Sequence, residues 1–124
     1  MSIGAIGNTV IDAINSMGID KKNLFAHYDM RWLKPLDELI LEEVAEHFHT
    51  IVTVEDGVIN GGLGSAVAEY MSGIGNRESG IGKRVIRLGV NDQFVEHGST
   101  KELYQLLKLD TQGICESLLQ ALEQ

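Results

Sequence analysis

The sequence is poor in cysteine, proline, aromatic residues and basic charge. Cys115 is the one cysteine, which excludes an internal disulfide framework and a cysteine-based zinc site. Lys plus Arg number 10 against 18 Asp plus Glu, a net charge of -8, so the basic footprint that a nucleic-acid binder needs is missing. Aromatic residues make up 6% and there is one proline, Pro35. No apolar run comes near the ~20 residues that a membrane span requires. No basic stretch precedes an apolar one at the N-terminus, where Asp12 already interrupts, so a secretory signal is not expected. These absences predict a cytoplasmic domain that touches neither membrane nor nucleic acid. What remains is 44% apolar and 23% charged, a globular balance. The 124 residues suffice for one domain. Glycine alone is in excess, at 14.

The apolar period switches between two and 3.6 along the chain. Leu24 to Trp32 alternates as a strand, Ile51-Val52-Thr53-Val54 reads as a buried central strand, and Arg84 to Leu88 as another. Ser2 to Ile6 is a brief strand at most. Because Gly4 to Asn8 already looks like the turn into a helix, the first strand is expected to be truncated, the chain having been cut from a longer protein. Val10, Ala13, Ile14 and Met17 mark a helix that Gly18 should stop. Leu36, Leu39, Ile40, Val44 and Phe48 mark a second, capped by Asp37 after Pro35. Leu63, Ala66, Val67, Tyr70 and Met71 mark a third. Ser99 to Glu102 is a capping box ahead of Leu103, Leu106 and Leu107, and Asp110 caps a last helix along Ile114, Leu118, Ala121 and Leu122. The Ser72 to Lys83 stretch, with Gly73, Gly75, Gly80 and Gly82, reads as a surface loop. Strands alternating with helices predict a parallel sheet covered on both faces.

Few residues invite chemistry. Gly82-Lys83 fails as a phosphate loop, with Arg77 in place of the first glycine and Arg84 in place of the hydroxyl. Gly62-Leu63-Gly64-Ser65 lacks the third glycine of a dinucleotide fingerprint, Val67 standing there. Its glycines suit a tight strand-to-helix connection, the alternative being a helix N-terminus that binds an anion. His47 and His49 lack a third metal ligand. Cys115 lacks a basic neighbour and reads as a small boundary residue. In Asp92 to Gly98, His97 has the chemistry of a general base with Glu96 or Asp92 as orienter. Nothing else of a catalytic set accompanies it, and a loop anchored by Phe94 and Val95 is the plainer reading. Glu55 and Asp56 sit at the carboxyl end of the central strand, where open α/β sheets bind ligands. They suit capping of the Gly61 to Ser65 amides better than magnesium, which usually comes with a phosphate.

Three blocks carry a family resemblance: Tyr-Asp-Met-Arg-Trp-Leu-Lys-Pro-Leu-Asp from Tyr28 to Asp37, Thr-Val-Glu-Asp-Gly-Val-Ile-Asn-Gly-Gly-Leu-Gly-Ser from Thr53 to Ser65, and Leu-Gly-Val-Asn-Asp-Gln-Phe-Val-Glu-His-Gly from Leu88 to Gly98. In this order and spacing the chain resembles the transketolase family, and within it the C-terminal domain of the 1-deoxy-D-xylulose 5-phosphate synthases. Trp32, where phenylalanine is usual, and a long Gly73 to Gly82 loop are the departures. The resemblance implies a three-layer α/β/α sandwich on a mostly parallel five-strand sheet with one antiparallel strand, its first strand beginning before Met1. It implies a parent enzyme that condenses pyruvate with glyceraldehyde 3-phosphate, with loss of carbon dioxide, for isoprenoid, thiamine and pyridoxal biosynthesis. Thiamine diphosphate and magnesium belong to the parent's other domains; no catalytic, cofactor or metal residue is expected in this chain. Its partners would be the other domains of its own chain and, through them, a homodimer. Arg31, Glu55, Asp56, Gly62, Gly64 and His97 are expected to form an interdomain-facing cluster, solvated in the isolated chain. Two other classes share the pattern: the matching domain of a 2-oxo acid dehydrogenase β subunit, which docks an acyltransferase, and a free-standing flavodoxin-like module. The pairing of Lys34-Pro35-Leu36-Asp37 with Glu96-His97-Gly98 favours the synthase.

Overall fold

A computed structural model describes residues 1–75 and 82–123. Gly4, at φ 82°, turns the chain into α1 (Ile6–Ser16). Ile6, Val10 and Ala13 bury one face of α1, and Met17 closes it with its amide on Ile14 O. Met17 thus performs the stop expected of Gly18, which instead opens a short α2 (Ile19–Lys22). α3 (Glu38–His47) starts where Asp37 Oδ1 accepts from the Ile40 amide at 3.2 Å. Its buried stripe is Leu41, Val44 and Ala45, and Leu39, expected on it, is 79% exposed. β1 (Thr50–Val58) leads into α4 (Leu63–Gly75), and β2 (Arg84–Val90) into α5 (Thr100–Leu106) and α6 (Thr111–Glu123). The capping box forms on α5: Ser99 Oγ accepts from the Glu102 amide, and Glu102 Oε2 accepts from the Ser99 amide at 2.9 Å. Asp110 Oδ1 accepts from the Gly113 amide at 3.0 Å, as its position predicts. The glycine-rich stretch is helical as far as Gly75, where a loop from Ser72 was expected; residues 76–81 of that loop lie outside the described residues.

β1 and β2 are parallel, with Ile51 opposite Val85 and Val54 opposite Leu88, and the register slips between Val54 and Val58. Ser2 bridges Val54 on one side and Asp29 on the other, both parallel. Among the described residues the sheet therefore holds two strands and two single-residue bridges, all parallel, where five strands with one antiparallel were expected. The physical reasons are local. A turn with the Phe25 amide on Lys22 O shortens the Leu24 to Trp32 segment at one end, and Arg31 at φ 54° ends its extended run at the other. Gly4 and α1 cut the first strand to its bridge.

The three layers are nonetheless present. Leu41, Val44 and Ala45 of α3 and Leu63, Val67 and Met71 of α4 pack with Met1, Met30 and Ile51 on one side of the sheet. Ile6, Val10, Ala13 and Met17 with Ile114 and Leu118 of α6 pack on Val54 from the other. β1 feeds both cores by alternation, Ile51 to the first and Val52 and Val54 to the second. This is an α/β/α sandwich on a parallel sheet. No described helix is long and apolar enough to cross a membrane.

Candidate functional site

The candidate cluster lies where β1 hands over to α4. The first amides of a helix have no partner within it and need an acceptor. Glu55, 6% exposed, supplies one: Oε2 accepts from the Leu63 amide and Oε1 from the Gly64 amide, both at 2.9 Å. A strand residue thus caps a helix eight positions on, in a charge-assisted fork. Gly62 lets the carboxylate in, since a Cβ there would overlap Glu55 Oε2. A Cβ on Gly64 would come within 2.8 Å of both Thr53 Oγ1 and Arg87 Cγ. Gly61 supplies the positive φ, 81°. The connection is then laced shut. Ser65 Oγ accepts from the Gly61 amide at 2.9 Å and donates to Ile59 O at 2.8 Å, while Arg87 Nη1 on β2 donates to Ser65 Oγ at 3.2 Å and Ile59 O at 3.4 Å.

Of the six cluster residues, three come together: Glu55, Gly62 and Gly64. Glu55 and Gly64 are buried, which corrects the expectation that the cluster is solvated throughout. Asp56 is exposed and accepts from Tyr104 Oη on α5 at 3.3 Å; burial, then the Asp56 charge, pushes the Tyr104 phenol up. Arg31 is exposed, 3.7 Å from Asp29 Oδ2, with its amide on Asp29 Oδ1 at 3.2 Å. His97 is exposed and, among the described residues, forms no hydrogen bond or ion pair. Phe94 does not anchor its loop as expected; it is fully exposed. Cys115 lies at the boundary of the second core, and His47 Nδ1 pairs with Glu43 O at 2.8 Å.

Sequence reading missed Arg87, Ser65 and Tyr104. Arg87 had a signal, a basic residue at the end of a β-branched run; Ser65 and Tyr104 had none. It also missed His27, whose Nε2 lies 2.8 Å from Ser2 Oγ. Burial, then the Met1 ammonium, holds the His27 ring below its usual range against an opposing pull from Asp29.

The arrangement does not fit a diphosphate and its metal. The α4 amides that would cradle an anion already hold a carboxylate, and Asp56 turns away to Tyr104. What the site offers is a locked turn beside an exposed rim.

A three-layer sandwich whose parallel sheet carries a carboxylate-capped helix N-terminus is the class defined so far. The family profile described as "Transketolase, C-terminal domain" matches residues 1–114, and the chain belongs to that family. Within it, the chain is similar to 1-deoxy-D-xylulose-5-phosphate synthases. It is 48% identical to that of Parabacteroides distasonis over 118 residues, 95% of this chain and 18% of the relative. It is 46% identical to that of Bacteroides fragilis over 114 residues, 92% of this chain and 17% of the relative. The chain thus spans less than a fifth of the relatives it matches. Among solved structures it is similar to a "split gene transketolase, inactive beta4 tetramer", at TM-score 0.77 and 29% identity, over 98% of this chain and 38% of that one.

Proposed function

We propose that this chain serves as the C-terminal domain of a 1-deoxy-D-xylulose 5-phosphate synthase, and that its share is interdomain packing and dimer assembly. In this reading the thiamine diphosphate chemistry, condensing pyruvate with glyceraldehyde 3-phosphate, belongs to the rest of the enzyme. The observation that carries it is the division of the site. The carboxylate and amides fit for chemistry are spent on each other, while Phe94, at 101% exposure, and Trp32, at 70%, are exposed, as are Arg31, Asp56 and His97. Large apolar side chains exposed in this chain are candidates for burial against a neighbouring domain.

The test is a chimera: this chain replaces the matching segment of the Parabacteroides distasonis synthase. The chimera should form the same oligomer and retain decarboxylating condensation. Phe94→Ser with Trp32→Ser should weaken assembly and activity together while leaving the isolated chain's stability within ~0.5 kcal/mol, as surface substitutions do. A fully assembled, fully active double variant would refute the packing role. Micromolar thiamine diphosphate binding by the isolated chain in calorimetry would refute the division of labour.

A further inference from the structure

The turn between β1 and α4 carries the sequence's one Asn-Gly pair, Asn60-Gly61. In this dipeptide the asparagine side chain is open to attack by its own backbone, because glycine has no Cβ to block the approach. The Gly61 nitrogen gives up its proton and bonds to the Asn60 side-chain carbonyl carbon. The bond from that carbon to the side-chain nitrogen breaks, ammonia leaves with the proton, and a five-membered succinimide remains. One water then opens the ring at either carbonyl and leaves aspartate or isoaspartate.

Both reacting groups are present, and one hydroxyl keeps them apart. Asn60 is exposed, and its side chain makes no hydrogen bond among the described residues. Ser65 Oγ accepts from the Gly61 amide at 2.9 Å and donates to Ile59 O at 2.8 Å. The peptide group before Asn60 and the one after it are thus fixed to the same oxygen. Arg87 Nη1 donates to that oxygen at 3.2 Å and to Ile59 O at 3.4 Å, and the Ile59 amide donates to Val90 O at 2.9 Å. Ring closure requires the Gly61 peptide to swing toward the Asn60 side chain, which breaks its bond to Ser65. It also requires the Gly61 nitrogen to lose its proton. The hydroxyl that faces this proton already faces a guanidinium, which makes it a poor base.

We propose that Asn60-Gly61 is a self-modification site that Ser65 holds silent, and that it converts to isoaspartate when the β1–α4 connection opens. The conversion keeps the connection open. An isoaspartyl link routes the main chain through the former side-chain carbon and lengthens it by one carbon. Ser65 Oγ then no longer spans Ile59 O and the Gly61 amide in one register. Gly61 and Gly62 no longer deliver the Leu63 and Gly64 amides to Glu55, which now hold that carboxylate at 2.9 Å each. The new carboxylate also joins a turn in which Glu55 already stands buried, and like charges repel. Ser65 is a positioning residue in this scheme, acting on the Asn60 backbone and not on the reacting carbon.

The test incubates four samples at mildly alkaline pH: the folded chain, the chain unfolded in urea, Ser65→Ala, and Gly113→Ala as a destabilised control at the α5–α6 junction. Peptide mapping follows the mass change from amide to acid at Asn60, and an isoaspartyl methyltransferase labels the product. The folded chain should convert about ten-fold more slowly than the unfolded one, the factor that one hydrogen bond is worth. Ser65→Ala, confirmed as folded by circular dichroism, should recover most of the unfolded rate, and Gly113→Ala should stay near the parent. Equal rates for the folded and unfolded chain would overturn the protection, whatever the variants do. Ser65→Ala as slow as the parent, or Gly113→Ala as fast as Ser65→Ala, would overturn Ser65 as the gate. The isolated isoaspartyl form should unfold at lower urea than Asn60→Asp, which adds the charge without the longer link. Equal midpoints would overturn the opening of the connection.

Discussion

Glu55 is the residue on which the β1–α4 connection depends, and its removal has a consequence that can be worked from the geometry. In Glu55→Ala the Leu63 and Gly64 amides lose their acceptor inside the protein. These two amides are the cap, so the cost is that of two buried donors left unmet, about 1–3 kcal/mol each, at or above the ~0.5–2 kcal/mol of ordinary cap losses. Water entering the space of the deleted side chain offsets part of this, giving a net loss of about 3 kcal/mol in urea unfolding with the m-value unchanged. Glu55→Gln separates shape from charge. It keeps one acceptor but turns an NH2 group toward the second amide, donor against donor, so it should still cost about 2 kcal/mol.

The alanine variant also exposes what Glu55 covers. The N-terminus of the thirteen-residue α4 becomes a place for an anion. Sulfate should then stabilise Glu55→Ala more than the parent chain, beyond the general salting effect that both share. Glu55→Gln unfolding within ~0.5 kcal/mol of the parent, or sulfate raising both midpoints equally, would refute the capping role.

Two other perturbations follow from buried or strained positions. Where Met1 carries a free amine, burial lowers its pKa from 8.0 to about 5, so between those values the unfolded chain binds the extra proton and stability rises with pH. The penalty is about 4 kcal/mol below pH 5, ~1.4 kcal/mol at pH 7 and near zero above pH 9; acetylating Met1 should abolish this slope, and an unchanged slope in urea titrations across pH would refute it. At the α5–α6 junction, a Cβ on Gly113 would lie 2.6 Å from the Lys108 backbone, and Lys108 has φ 55°. Gly113→Ala should cost about 2 kcal/mol by overpacking, whereas Lys108→Gly, relieving a left-handed residue, should gain up to about 1 kcal/mol; thermal melts giving the reverse order would refute this.

The helices were legible because their signals are local. Asp37, Ser99-Glu102 and Asp110 act within three residues of themselves, and each cap forms where the sequence places it. Apolar spacing found the buried faces of α1, α4 and α6 for the same reason. Leu39 misled because α3 covers only one side and its stripe is turned by packing against α4. Strand lengths were less legible because they depend on partners: Leu24 to Trp32 alternates well, yet a turn at one end and Arg31 at the other leave it one bridge. The fork from Glu55 to Leu63 and Gly64 was half legible, since a carboxylate after a strand and glycines before a helix propose each other. Arg87 closing the same turn from β2 depends on the β1–β2 register, which no short spacing carries.

The carboxyl rim of the sheet therefore has two halves with opposite consequences. In the closed half, Glu55, Gly62, Gly64, Ser65 and Arg87 satisfy one another, so a neighbour gains nothing by touching their polar atoms and loses stability by moving them. In the open half, Phe94 and Trp32 present apolar surface that water covers in the isolated chain. Covering each fully is worth about 1.5–3 kcal/mol, before the cost of ordering the 91–99 segment, which contains no helix or strand up to the α5 cap. Arg31, beside Asp29, and Asp56, beside Tyr104, are exposed charges that would fix how a partner sits more than how tightly it binds. On the proposed packing role, the locked turn would hold the exposed residues in register and the open half would supply the area a neighbouring domain covers.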